Sequence, residues 1–211
     1  NWKGASLMQS SDGGAWNQIK VFTVPAVLGI VTNVLHQSLI TVPDLENSIC
    51  VTILGGGELA SISDAQFLAG ENLALRGNEI IQFRDAVLQK NGSYKLSYLL
   101  RGRFGTEWAV KLHKPYEEFT LLTEDTIQRV ITDANSINKT CLYQAVTLGT
   151  LLDEANEKQF TNQSVGLKPY APVHLKATRD GNMNVTFSWI RCTRIGGEWR
   201  DNVDVPLGEA K

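Results

Sequence analysis

"NEIIQFRDAVLQKNGSYKLSYLLRGRFGTEWA", residues 78–109, is the clearest structural unit in the chain. Ile80, Ile81 and Phe83, then Ala86, Val87 and Leu88, read as one strand. Asn91-Gly92 supplies a turn, and Tyr94, Leu96, Tyr98 and Leu100 alternate with their neighbours afterwards. A period of two sets one face of a strand on a core, and Asn-Gly between two such runs is a strong hairpin signal. The unit is therefore predicted to be a hairpin with one face buried. Its second strand ends in "LLRGRFGTEWA", residues 99–109.

That ending concentrates residues that enzymes use. Gly102 and Gly105 allow a sharp bend, with Thr106 beside them. Arg101 and Arg103 offer planar forks that a carboxylate accepts in bidentate fashion, Glu107 being a candidate. Trp108 is expected to seat the segment in the core. Catalysis would require a nucleophile, or an acid and base within reach, and the nearest candidates are His113, Glu117 and Glu118. Adjacent Glu side chains on a strand point to opposite faces and cannot flank one bond. Arg101, Gly102, Arg103, Gly105, Thr106, Glu107, Trp108 and His113 are accordingly read as a structural motif, a buried ion-paired turn.

Further strands lie on both sides. "WKGASLMQSSDGGAWNQIKVFTV", from residue 2, reads as a hairpin whose turn uses the Asp12 side chain to hold the following backbone, with Gly13 and Gly14 free to take positive φ. This turn is a near miss for the Asp-box hairpin of sialidase-like propellers, lacking its Thr, and that box is itself structural. "NSICVTILGG", 47–56, is a β-branched strand closed by glycines. Gly55-Gly56-Gly57 lacks the following Lys-Ser/Thr pair of a phosphate loop. A short helix is predicted from near Ser63, with Leu73 and Leu75 on helical or loop spacing. "EEFTLLT", 117–123, and "TCLYQAVTLG", 140–149, are further strands, and "TEDTIQRVITD", 123–133, a helical turn or loop. The fold class is mainly β: antiparallel hairpins forming a β-barrel or sandwich-like domain with one or two short helices.

Composition excludes several classes. The chain has 211 residues, 43% of them hydrophobic, enough for a real core in one large domain or two small ones. A net charge of -2 and a pI near 6.0 leave no positive field for counterion release, so sequence-specific nucleic-acid binding is not expected. No stretch reaches the roughly 18–20 apolar residues of a membrane-spanning helix. Absence of an initiating Met at Asn1 points to a piece of a longer polypeptide. Cys50, Cys141 and Cys192 form no close pair, so buried free thiols are expected and no metal site or cofactor. Sequons at Asn91, Asn138, Asn162 and Asn184 matter only in a secreted eukaryotic protein.

"GNEIIQF", "YKLSYLLRGRFGTEWA", His113 and "EEFTLL" together resemble a segment of the large tail-tip hub protein of gene transfer agents and related tailed phages. The family pattern runs roughly as a G-x-E-ϕ-ϕ-Q-F strand, an L-L-R-G-R-x-G-T-E-x-A turn and an H-x-x-G-E-x-F strand. "WKGASLMQSSDGG" and "LASISDAQFLAGENLALRGNE" are similar to its other passages. "YAPVHLKATRDGNMNVTFSWIRCTRIGGEW" resembles the start of a fibronectin-III-like module. One departure is that Lys114-Pro115-Tyr116 precedes Glu117 where the family has a Gly before the Glu.

The resemblance implies two domains, a β-rich hub domain over 1–167 and an incomplete fibronectin-III-like β-sandwich over 168–211. It implies a virion protein at the tail tip, homotrimeric in the assembled tail, with other tail-tip proteins as partners, host-surface contact, and no catalytic role. A carbohydrate- or receptor-binding module is the second expectation, resting on Trp2, Trp16, Trp108, Trp189 and Trp199, most of which should nevertheless be core residues. A cell-envelope hydrolase would have to use Glu107, Glu117 or Glu124.

Overall fold

In the computed structural model, which describes residues 2–165 and 168–193, the two long strands are Glu79–Leu88 (β6) and Tyr94–Arg103 (β7). They pair antiparallel, from Leu88 opposite Tyr94 to Ile80 opposite Arg103, around the Asn91-Gly92 turn. Before them come Ala5–Ser10 (β1), Asn17–Phe22 (β2), Leu28–Val31 (β3), Ile49–Leu54 (β4), the helix Asp64–Ala69 (α1) and Leu73–Arg76 (β5). After them come Glu118–Leu122 (β8), Thr140–Thr147 (β9), Glu157–Thr161 (β10), Val173–Arg179 (β11) and Val185–Ile190 (β12).

Six strands close an antiparallel barrel in the order β3-β4-β7-β6-β5-β8, with β8 returning to β3. The expected mainly β fold with a barrel is what the chain adopts. Closure leaves these strands no open edge. Gly29 on β3 permits a tight approach to β4: a Cβ there would meet Val51 Cγ1 at 2.6 Å and the Thr52 carbonyl oxygen at 2.9 Å. Inside, Val31, Ile49, Val51, Ile81, Phe83, Leu96, Leu99 and Phe119 are fully buried. Burial of such side chains is worth roughly 1.5–3 kcal/mol each, so the barrel interior is the main source of stability.

Two expectations need correction here. Leu73 and Leu75 lie on strand β5, where pairing with both β6 and β8 overrides any helical spacing. In β7 the alternation breaks at Tyr98, whose φ is +56°. Leu99 rather than Tyr98 then enters the core, and Tyr98 packs edge-on against Phe67 of α1, with the Arg84 guanidinium 3.8 Å above its ring. The helix itself starts as predicted: Ser63 caps it in a capping box with Gln66, and Gln82 of β6 donates to the Phe67 and Glu71 carbonyls at its other end.

The remaining strands of the first unit form a four-stranded sheet in the order β10-β9-β1-β2. β1 and β2 are the predicted N-terminal hairpin. Its turn is held as expected, with Asp12 Oδ1 accepting from the Gly14 N–H at 2.9 Å and Gly13 at φ +82°. Residues 123–133 include a turn in which Ile127 N donates to Thr123 O, but no helix. The chain divides into two compact units, Asn1–Gln163 and Ser164–Lys211. Within the second, the described part is the β11–β12 hairpin.

The three cysteines are free as expected, but half-buried rather than buried. The tryptophans also depart from expectation. Trp2, Trp108 and Trp189 are exposed, Trp16 is half-buried, and Trp199 lies outside the described residues.

Candidate functional site: a buried ionic layer at one end of the barrel

The period of two explains how charge comes to lie inside the barrel. On β6, Glu79 shares its side with Ile81 and Phe83; on β5, Arg76 shares its side with Ala74; and Glu117 shares its side with Phe119 at the entry to β8. Each charged residue thus stands one inward step beyond the apolar layer. On β7 a register shift near Ile81 and the left-handed Gly102 (φ +59°) turn Arg101 into the same end.

The side chains meet there as one connected network. Arg101 grips Glu79 in bidentate fashion, Nε to Oε1 at 2.9 Å and Nη2 to Oε2 at 2.9 Å. Its Nη1 donates to Asp44 Oδ2 at 3.2 Å and to the His36 carbonyl at 2.9 Å. Glu79 Oε1 also accepts the Gly102 N–H at 2.7 Å, while its Oε2 meets His113 Nε2. The other ring nitrogen of His113 lies 2.8 Å from Glu117 Oε2, which also accepts from Arg76 Nε at 2.9 Å. Arg76 Nη2 closes the chain on the Asn33 and Lys114 carbonyls.

Both ring nitrogens of His113 face carboxylate oxygens, and only an imidazolium donates from both. Three cations, Arg76, Arg101 and His113, then balance three carboxylates, Asp44, Glu79 and Glu117. Burial disfavours the charge on Glu79 more than any other influence, but hydrogen bonds from His113 and Arg101, the Arg101 charge and the Gly102 N–H together outweigh it. Its pKa falls below the usual carboxylate range. The Asp44 and Glu117 carboxyls are lowered in the same way, burial opposing and hydrogen bonds and cations prevailing.

The predicted motif is only partly drawn together. Arg101, Gly102 and His113 belong to the network. Gly102 has no room for a side chain: a Cβ would come within 2.9 Å of the Glu107 backbone and 3.2 Å of Ile40 Cγ2. Thr106 locks the turn, accepting from the Ile80 N–H at 2.9 Å and donating to the Arg103 carbonyl at 2.7 Å, and Gly105 is buried behind it. Arg103 lies 5.7 Å from the Phe104 ring centroid. Trp108 is 55% exposed and does not seat the segment in the core, because the short 3-10 turn Glu107–Ala109 buries Ala109 instead. The carboxylates on Arg101 are Glu79 and Asp44, not the neighbouring Glu107 that proximity suggested.

Asp44, Arg76 and Glu79 were not singled out from the sequence. The available signal was the placement of Arg76, Glu79 and Glu117 at inward-facing positions of apolar strands; nothing local marks Asp44, which sits in a loop bridged to Leu99. Tyr116, where the resemblance has glycine, takes a φ of +64°, in the left-handed region that favours glycine.

Chemically, the Glu79 carboxylate at the centre is saturated, whereas Arg76 Nη1 at the far side of the network is buried without a hydrogen-bond partner. The two oxygens of Glu79 take four contacts, and its side chain has no exposed surface, so it presents no open carboxylate to a substrate. Among the described residues no cluster of three or more His, Cys, Asp or Glu is arranged to hold a metal ion.

These features define a class: a closed six-stranded antiparallel barrel capped at one end by a charge-balanced buried ionic layer. Residues 26–120 match the model of the family described as Rcc01698-like, C-terminal, named for a gene-transfer-agent-related protein of Rhodobacter. The matched stretch contains five barrel strands and the start of β8, and all six residues of the ionic layer. No curated protein matches the chain.

Proposed function

We propose that this chain is a structural component of a phage-like tail tip or baseplate hub, serving tail assembly, contact with the host envelope and genome delivery. The observation that carries this is the family match over residues 26–120, which spans the barrel and its ionic layer and links the fold to a gene-transfer-agent context. A barrel whose charged residues are spent on each other suits a part that must hold its shape while neighbours pack on it.

Exposed apolar side chains support the same reading. The two loops whose backbone carbonyls bind Arg101, through His36 and Val110, carry Leu39, Leu45, Phe104, Trp108, Leu112 and Tyr116, all more than half exposed. Large apolar side chains left exposed on two loops anchored to one arginine suit contact with other proteins. The partners are other tail-tip virion proteins, the assembled state is a homotrimer, and the β11–β12 hairpin is the beginning of a fibronectin-III-like module. No catalytic step belongs to this role. Electron microscopy of intact tails tests it: density for this chain in a symmetric ring at the tip is expected, and tails that assemble and deliver normally without the polypeptide would refute it.

A second reading, a carbohydrate- or receptor-binding module, is favoured by the exposure of Trp2, Trp108 and Trp189. Binding of the chain to envelope fragments, lost in Trp108→Ala or Trp189→Ala, would support it over the first.

A further inference from the structure

The four-stranded sheet carries a cleft that the barrel and its ionic layer do not involve. Gln128 Nε2 donates to the Val21 carbonyl on β2, and Thr132 accepts from Asn162 just past β10, so the segment between them straps across the sheet. Beneath and beside it is a cavity of about 410 Å³ lined by Val130, Thr132, Tyr143, Lys158, Phe160 and Asn162. Small-molecule sites run from about 300 to 1,000 Å³ and combine apolar walls with a few convergent polar groups.

The register assembles those groups. Lys158 stands directly opposite Tyr143, and Phe160 opposite Cys141, so the period of two places Tyr143, Lys158 and Phe160 on one face. The Tyr143 and Phe160 rings meet edge to face, 6.3 Å apart at 72°, which orients Phe160 while 58% of that residue stays exposed. The Tyr143 hydroxyl accepts from Gln9 at 2.9 Å and keeps its proton to donate; burial, then Cys141, raise its pKa further from neutrality. The Thr132 hydroxyl accepts from Asn162 and likewise retains a donor. Lys158 has no ion pair among the described residues.

A pyranose ring presents an apolar C–H face and a rim of hydroxyls, each both donor and acceptor. An oriented aromatic face ringed by two hydroxyls, an amide and an uncommitted ammonium is complementary to such a ring, and the ammonium selects a sugar that carries an anion. We propose that this cleft binds a short acidic saccharide, stacked on Phe160 with its carboxylate or phosphate on Lys158. The site lies apart from the ionic layer and stands independently of the tail-tip role.

The test is an amide-resolved NMR titration of the full 211-residue chain with tri-galacturonate, maltotriose and sodium phosphate as probes. Tri-galacturonate should shift the amides of Thr132, Tyr143 and Lys158 to Asn162, with a Kd on the order of 0.1–1 mM. Phe160→Ala should weaken it by about tenfold, the scale of one aromatic contact. Lys158→Gln should bring tri-galacturonate down to the affinity of maltotriose and leave maltotriose unchanged. If Phe160→Ala lowers the melting temperature, Phe160→Leu, which keeps apolar bulk but no ring face, replaces it with the same expected loss. The proposal is overturned if neither saccharide shifts these amides, if phosphate alone reproduces the shifts, or if folded Phe160 variants bind as the wild type does.

Discussion

Glu79→Gln probes the ionic layer at its centre with almost no change in volume. The carboxylate accepts four contacts, from Arg101 Nε and Nη2, the Gly102 N–H and His113. An amide supplies one acceptor oxygen in place of two and turns a donor toward groups that are themselves donors. It also leaves two cations, Arg101 and His113, with one fewer anion in a space closed to water. Breaking one partner of a buried pair costs about 3–5 kcal/mol, because the survivor stays buried without its counter-charge. At roughly 2–4 °C per kcal/mol for a chain of this size, the melting temperature should fall by about 6–20 °C. Circular dichroism melts and urea titrations at pH 7 read it directly. The double variant Glu79→Gln with Arg101→Met should recover part of the loss, giving a coupling of about 1–3 kcal/mol in a mutant cycle. A Glu79→Gln protein within about 1 kcal/mol of wild type, or strictly additive losses, would refute a coupled layer and reduce it to independent contacts.

Acid should act on the same residues. The folded pKa values of Glu79 and Glu117 lie below 4.5 and that of Asp44 below 3.8, their ordinary values, so their contribution is present above those values and is lost as pH falls through the lowered folded ones. Urea midpoints measured from pH 7 down to pH 3 should therefore fall steeply below about pH 4.5 in wild type and less steeply in Glu79→Gln; parallel curves would contradict this. Gly102→Ala places a Cβ against the Glu107 backbone at a left-handed φ and should cost about 2–3 kcal/mol, whereas Gly92→Ala, left-handed but with open space around it, should cost about 1 kcal/mol. Equal denaturation midpoints for the two variants would show that the close approach is not what Gly102 is for. Tyr116→Gly relieves left-handed strain at a residue 74% exposed, and should raise stability by about 0.5 kcal/mol after the added freedom of the unfolded glycine. A loss of more than about 1 kcal/mol on thermal denaturation would mean that the ring packs on something the backbone geometry does not reveal.

What the sequence disclosed follows from which signals are local. The β6–β7 hairpin, the capped start of α1 and the Asp12 turn are written in neighbouring residues and are present as read. β3 and β5 were not legible because they are only four residues long, and their identity comes from pairing on both sides in a closed barrel. Of the ionic layer, Arg101 and His113 stood out by residue type, but their partners come from positions 44, 79 and 117, and no spacing rule joins such distant points. Trp108 misled for a related reason. Size and hydrophobicity argue for burial, yet the turn aims the small Ala109 inward and leaves the indole outside.

The span of the ionic layer bears on how the barrel comes to be made. Arg101 is joined to Asp44 and to the His36 carbonyl across 57 and 65 positions, and Arg76 to Glu117 across 41. Contacts this distant carry a chain-entropy cost that is met before they return anything, so they form after the local β6–β7 hairpin. The layer is thus expected to be a late fastening in folding, its bonds largely absent from the transition state and among the early ones to break on unfolding. Its contribution should therefore appear mainly in a slower rate of opening, read as a faster unfolding limb in Glu79→Gln with the refolding limb little changed.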